Sequence, residues 1–223
     1  MRTRIAAGIV ALSIGVVGVA AGPASGALNK SKPISSSYLK ALEKEVGKGK
    51  KLTYEATYKT TSAGKTTVIT IAQAPPKSAF LTGSGQVIDT GTKTYYCSKT
   101  GTSVSCLSSS GLNPFADLED LFSPTAALAA FNEAKEGLVE RSLGIKTSSS
   151  TSKFGGQSST CVTVSVKKNV GKYCVTKQGL LSYAGSSSFS FVLTKFTSKP
   201  SSSLFQLPAG ATTVTLPGGA SIP

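Results

Sequence analysis

The sequence predicts an α+β protein in which most of the chain forms short antiparallel strands. Runs of alternating apolar and polar residues, separated by turns that contain glycine, occupy two long stretches. Glycine, serine and threonine are abundant, whereas aromatic residues make up 7% and tryptophan is absent. Apolar residues at helical spacing occur near the N-terminus and in one central stretch, so we expect few helices.

The N-terminus has the layout of a secretory signal peptide. Arg2 and Arg4 precede an apolar run from Ile5 to Ala21, and small residues follow. Cleavage after Ala27 would leave residues 28–223 as a single domain. An uncleaved membrane anchor is the alternative, but the short run and the small-residue site favour cleavage. We therefore expect a protein that is secreted or that lies in the periplasm or cell envelope.

An N-terminal helix is predicted from Ser35 to Gly47. Leu39, Leu42 and Val46 form a stripe at helical spacing, and Gly47 is a suitable C-terminal stop.

Six strands are predicted next. In the first strand, Tyr54 and Tyr58 share one face, and in the second strand Ile69 and Ile71 do so. Ala63-Gly64 is the expected turn between these two strands. Short strands with regular turns indicate a meander or a barrel-like sheet. The predicted strands cover 51–59, 65–73, 77–83, 86–91, 93–99 and 102–108.

A pair of short helices is predicted in the centre of the chain. Asn113 is an expected N-cap followed by proline, and Ser123 is a second N-cap followed by proline ten residues later. The predicted helices span 113–122 and 124–136, and Phe115, Leu118 and Phe122 lie on one side of the first.

A second meander is predicted after the helices. In its second strand Val162 and Val164 share a face opposite Cys161, and in its last strand Phe189, Phe191 and Leu193 are aligned. The candidate strands cover 138–153, 157–167, 172–177, 180–186 and 188–197.

The four cysteines, Cys97, Cys106, Cys161 and Cys174, are expected to be oxidised in an exported protein. Four cysteines allow three pairings. Pairing within two local hairpins is favoured, because direct opposition of Cys97 and Cys106 centres a two-residue turn on Gly101.

The formal net charge of +14 arises almost entirely from lysine. Arg141 is the one arginine outside the predicted signal, whereas nucleic-acid readers depend on arginine forks. We therefore expect no nucleic-acid partner. A solvated basic surface is the simplest interpretation, and attraction to an anionic membrane or wall polymer is the functional one.

Catalysis is not expected. Without histidine there is no Ser-His or Cys-His relay and no imidazole metal ligand. Asp117, Glu119 and Asp120 fit the first turn and solvent face of a helix better than a carboxylate site. No metal, cofactor or phosphate-binding loop is expected.

The element order, together with the stretches "APPKSAFLTGSG" and "FQLPAGA", resembles the LolA/RseB/LppX–LprG group of bacterial envelope proteins. This resemblance implies a curved antiparallel half-barrel of about ten to eleven strands, wrapped around the N-terminal helix and the central helix pair. It also implies a non-catalytic lipid or lipoprotein carrier, or a sensor, whose apolar cavity receives acyl chains. Two departures are the missing acylation cysteine and the near absence of arginine.

The resemblance implies that the apolar strand faces line a ligand-binding cavity. A lipid or acylated molecule is then the expected partner of a monomeric protein, and the central helices are an expected lid. The alternative is a structural or regulatory module with a self-filled core that binds a protein or an anionic wall polymer. The candidate lining residues are Tyr54, Tyr58, Ile69, Ile71, Phe80, Phe115, Leu118, Phe122, Val162, Val164, Phe189, Phe191 and Leu193.

Overall fold

The computed structural model describes residues 44–45, 48–49, 51–109, 145–166 and 169–215. These residues form twelve strands and one 3-10 turn, Ser202–Phe205. The strands are β1 (Tyr54–Ser62), β2 (Lys65–Ala74), β3 (Lys77–Leu81), β4 (Gly85–Asp89), β5 (Thr94–Thr100), β6 (Ser103–Ser109), β7 (Ile145–Phe154), β8 (Gln157–Val166), β9 (Asn169–Thr176), β10 (Leu181–Gly185), β11 (Phe189–Thr197) and β12 (Thr212–Thr215).

All twelve strands belong to one sheet, in the order β12-β6-β5-β4-β3-β2-β1-β11-β10-β9-β8-β7. Strands β1 to β6 form one meander and β7 to β11 form the other. The two meanders meet where β1 pairs antiparallel with β11. The last strand, β12, pairs parallel with β6, and all other pairs are antiparallel. Since β12 and β7 are both edges, the sheet is not closed.

The sheet is strongly curved. The turn between β7 and β8 touches β11, although three strands separate β7 from β11 in the sheet order. A Cβ added to Gly155 in that turn would lie 2.9 Å from Leu193 Cγ and 3.2 Å from the backbone N of Lys195. Strands so far apart in a sheet can touch only if the sheet bends back on itself.

The predicted strands are confirmed, with one addition. The eleven expected strands correspond to β1 to β11, whereas β12 was not expected, so the sheet has twelve strands in place of about ten to eleven. Lys44 and Glu45 of the predicted N-terminal helix are helical, as are Lys48 and Gly49 beyond its expected end at Gly47. The rest of that helix, the central helices and the signal segment lie outside the described residues.

Two hairpin turns follow the local chemistry of their residues. The β1–β2 turn places Ala63 at φ 48° and Gly64 at φ 76°, and the β5–β6 turn places Gly101 at φ 60°. Gly64 and Gly101 adopt positive values without steric cost, whereas Ala63 is a described residue other than glycine that does so. The short turns fix the strand register, and both local disulfides form as favoured: Cys97 opposes Cys106, and Cys161 opposes Cys174.

Alternation gives the sheet two faces of different composition. We call the face that carries Tyr54, Ala56 and Tyr58 of β1 the apolar face. The opposite face carries both disulfides and is called the disulfide face. Residues 198–211, here called the strap, cross the disulfide face from β11 to β12. Within the strap, Phe205 is buried against Ala72 and Ala79.

The described residues just before β1 lie against the apolar face. The buried side chain of Gln73 donates hydrogen bonds from Nε2 to the carbonyl oxygens of Gly49 (3.4 Å) and Leu52 (3.0 Å). Gly179, in the β9–β10 turn at φ +89°, packs so closely that an added Cβ would meet Glu45 O and Gly49 N. Glycine is therefore required at this position for the helix end to dock.

Replacing Gly179 with alanine is expected to lower the free energy of unfolding by about 2 kcal/mol or more, because left-handed strain adds to a backbone clash. The matched control is Gly156→Ala, since Gly156 has φ +78° but nothing within 4 Å of an added Cβ. Urea unfolding of both variants separates the two contributions. Equal losses would show that Gly179 makes no special contact.

Removing either disulfide is expected to cost about 2.5–3 kcal/mol, because the loops span 9 and 13 residues. The double variants Cys97→Ser/Cys106→Ser and Cys161→Ser/Cys174→Ser should each lower the thermal midpoint. Reductant should affect each double variant less than the native chain. An unchanged midpoint in either variant would mean that the hairpin holds its own register without the bridge.

Candidate apolar ligand groove

The apolar face carries a continuous cross-strand row of side chains. By register, Ala56 of β1 lies opposite Ile71 of β2, and Ile71 lies opposite Phe80 of β3. The row continues through directly paired residues to the β12 edge of the sheet. Direct neighbours of this kind stabilise a sheet and build a common surface. The members after Phe80 are Val87, Tyr96, Leu107 and Val214.

A second row extends from β1 in the other direction. Thr60 of β1 pairs with Phe191, which pairs with Ala184 of β10. Ala184 pairs with Tyr173 of β9, and Tyr173 pairs with Val162 of β8. The apolar face therefore carries apolar side chains on strands of both meanders.

The centre of the apolar face is filled by its own side chains. Tyr58 stacks on Phe191 with ring centroids 4.2 Å apart and an interplanar angle of 20°. Leu193 is 1% exposed and belongs to the same buried cluster, and Leu180 and Leu181 pack there too. This part of the face is a packed core.

The apolar row becomes more exposed toward the β12 edge. Ala56 is 0% exposed, Leu107 is 37% exposed and Val214 is 53% exposed. Between them lies an open groove of about 450 Å³ across β3 to β6. Its volume lies in the range typical of ligand pockets, about 300–1,000 Å³. The lining residues are Phe80, Thr82, Gly85, Gln86, Val87, Tyr96, Cys97, Ser98, Ser105 and Leu107.

The described candidate residues all lie on the apolar face, but six of the ten are buried. Phe80 alone among them lines the groove. Phe189 is 37% exposed, and Ile71 and Val164 are half-buried. Phe115, Leu118 and Phe122 lie outside the described residues. The buried candidates are Tyr54, Tyr58, Ile69, Val162, Phe191 and Leu193.

Sequence reasoning missed three groove residues: Val87, Tyr96 and Leu107. Each sits in a short, polar-rich strand whose alternation is weak. The signal that could have found them is the disulfide, because opposition of Cys97 and Cys106 fixes Tyr96 opposite Leu107 on the other face. Register then carries the assignment across to Val87.

Within the described ranges no group of three or more His, Cys, Asp or Glu side chains is placed to hold a metal ion. The described part of the chain also has no helix of the length and apolarity needed to cross a membrane. Burial, and to a smaller extent the nearby Tyr54, raise the pKa of Tyr58 well above its ordinary value of 10.0.

Comparison with solved structures places the fold. No protein-family model and none of the curated proteins compared matches the chain. The structure of MucB matches with a TM-score of 0.51 and 14% identity, over 80% of this chain and 66% of MucB. The MucA/MucB complex of Pseudomonas aeruginosa matches with a TM-score of 0.49 and 13% identity, over 81% and 64%. Lipoprotein LppX of Mycobacterium tuberculosis matches with 0.38 and 12%, over 70% and 92%.

The chain therefore has the fold of MucB. It spans slightly less than two thirds of the MucB chain. At this identity the match establishes the fold, and ligand and partner have to be argued from the side chains of this protein.

Replacing Tyr58 with phenylalanine is expected to reduce the loss of stability above pH 10. Below that pH the phenol is protonated in both states, so it contributes no pH dependence. Above it, the unfolded chain releases a proton that the folded chain retains, and stability falls by up to about 1.4 kcal/mol per pH unit. Urea unfolding between pH 8 and 11 measures this, with Tyr95→Phe as the control. Parallel declines in the native chain and in Tyr58→Phe would contradict it.

Proposed function

We propose that this protein is an exported, non-catalytic envelope protein that binds a hydrophobic or lipid-bearing ligand in the groove on its apolar face. The observation that carries the proposal is the open groove across β3 to β6, formed where the apolar row is least covered. Its floor is made by Phe80, Val87, Tyr96 and Leu107.

Apolar contact supplies the binding energy. Each buried methylene contributes about 0.8 kcal/mol, so a ligand chain of several carbons gains enough to offset the entropy of its ordering. Thr82, Ser98 and Ser105 are polar groups at the groove. A mainly apolar lining with a few polar groups is typical of small-molecule sites.

Export is supported by the cysteines. All four are paired in disulfides, and disulfides persist in oxidising compartments. A signal peptide over residues 1–27 and a single domain over 28–223 complete this proposal. The central helices at 113–122 and 124–136, with Phe115, Leu118 and Phe122, are proposed as the lid over the groove.

A second function, a protein-binding or regulatory module, is favoured by one observation. The centre of the apolar face is filled by Tyr58, Phe191 and Leu193, so a self-filled core accounts for several of the predicted lining residues. Under this function the groove would hold no lipid, and the protein would act through its surface.

The experiment compares a groove variant with a matched surface variant. The full-length chain is purified from its producing host, its lipid content is measured by native mass spectrometry, and a fluorescent long-chain fatty acid is titrated. Leu107→Asp should weaken binding of the fatty acid at least about tenfold, because a carboxylate at the groove is costly to desolvate against an acyl chain.

The control is Val170→Asp. Val170 is 48% exposed and lies on the disulfide face by its register with Ser165, so this variant adds the same charge away from the groove. It should change fatty-acid affinity less than about twofold. Absence of co-purified lipid and of fatty-acid binding, or equal losses in both variants, would favour the second function.

A further inference from the structure

The lysines of the sheet are concentrated on one face. By register, the disulfide face carries a lysine on each of the strands β5, β1, β11, β9 and β7, together with one on β3. Among the described strands, the one acid on this face is Glu55, whose Oε2 accepts a hydrogen bond from Ser201 N of the strap. Asp89, the other acid of the described strands, lies on the apolar face opposite Ser78. The six lysines are Lys99, Lys59, Lys195, Lys172, Lys146 and Lys77.

Five of these lysines form a stripe across the strands. Lys59 pairs with Val68 and Val192. Lys99 lies at nearly the same height along the strand direction, because its backbone N–H donates a hydrogen bond to the carbonyl oxygen of Ser84. By register, Lys195 lies at the height of Thr57, two residues before Lys59 in β1. Lys172 lies at the height of Thr61, two residues after Lys59. Lys146 completes what we call the lysine stripe. Lys77 lies beyond the strap and is not a member.

The stripe is solvent-accessible. Lys59, Lys99, Lys146 and Lys195 are exposed. Lys172 is half-buried and held in place: its Nζ donates to Ser152 Oγ at 3.2 Å and lies over the rings of Phe154 and Tyr183. The strap crosses this face at the level of Ala72 and Ala79, which leaves the stripe uncovered by it.

A second depression lies within the stripe, between Lys59 and Lys99. It has a volume of about 490 Å³ and lies between β2 and β3. Val68 in its wall is the direct partner of Lys59, and Gly83 at its rim precedes Ser84, which bonds Lys99. Its lining combines four threonines with Val68, Leu81 and Gly83. By register, Thr66 and Thr70 are the threonines on the disulfide face. The four threonines are Thr66, Thr67, Thr70 and Thr82.

We propose that the lysine stripe binds a linear polyanion of the cell envelope whose repeat combines phosphate with a polyol or sugar. Ammonium groups attract the phosphates as point charges, and the Thr70 hydroxyl of the depression exchanges hydrogen bonds with the polyol unit. This site lies on the face opposite the apolar groove, so the protein can hold a lipid and the polymer together.

The shape of the sheet favours a polymer over a bilayer. The stripe runs from β5 to β7, a path of about 40 Å at the usual spacing of roughly 4.8 Å between strands. The sheet curves along that path, since the β7–β8 turn touches β11. A flexible chain can follow the curve, whereas a flat membrane would contact only part of it.

The test titrates the full-length protein with linear poly(glycerol phosphate) in 50 mM salt. The double variant Lys59→Gln/Lys99→Gln should bind at least about tenfold more weakly and with a smaller salt dependence. Its control, Lys93→Gln/Lys153→Gln, removes the same charge at exposed positions outside the stripe and should lose less than about threefold. Fatty-acid binding should be unchanged in both, which separates this site from the groove.

A third variant tests the depression. Thr70→Val removes a hydroxyl with little change in volume, and should weaken poly(glycerol phosphate) at least about threefold while leaving inorganic polyphosphate unaffected. Equal losses of polymer affinity in the two double variants, or no binding of the polymer, would overturn the proposal that the lysine stripe is the binding site. Binding to phosphatidylglycerol vesicles without binding to the polymer would overturn the choice of ligand. An unaltered affinity of Thr70→Val for poly(glycerol phosphate) would show that the polyol unit does not bind in the depression.

Discussion

The pairing of β1 with β11 is the contact on which the rest of the structure depends. It joins two meanders that are otherwise separate along the chain, and its paired residues lie 127 to 142 positions apart. One side-chain contact across it is the hydrogen bond from Thr194 Oγ1 to Thr57 O at 2.9 Å. A register shift between Thr57 and Tyr58 lets Leu193 and Phe191 meet Tyr58 on one face. The packed centre that results anchors both halves of the sheet.

That anchor gives the two halves of the apolar face different properties. Near β1, β10 and β11 the strand faces are covered by one another, because the second meander curls until the β7–β8 turn reaches β11. Strands β3 to β6 lie beyond this curl and carry the groove on their apolar face, whereas the strap packs on the disulfide face at Ala72 of β2 and Ala79 of β3. Curvature therefore decides which apolar residues serve as core and which are available to a ligand.

The same alternation that collects apolar side chains on one face collects lysines on the other. Because side chains alternate with a period of two, a one-residue register slip would exchange the faces and expose the core. Both disulfides lie directly across their hairpins, and so they resist such a slip in each meander. Register is thus the common origin of the groove and of the lysine stripe.

Eleven of the twelve strands, both disulfides and the sharing of one face by the described candidate residues follow from the sequence, because alternation and turn residues act over short distances. Strand β12 does not follow, since its parallel pairing with β6 depends on where the strap ends, and TTVT carries no strong signal. The sequence also does not show which candidate residues are packed in the core, such as Leu193, and which line the groove, such as Phe80. That division depends on how far the sheet bends, and bending arises from contacts between strands that are distant in the chain.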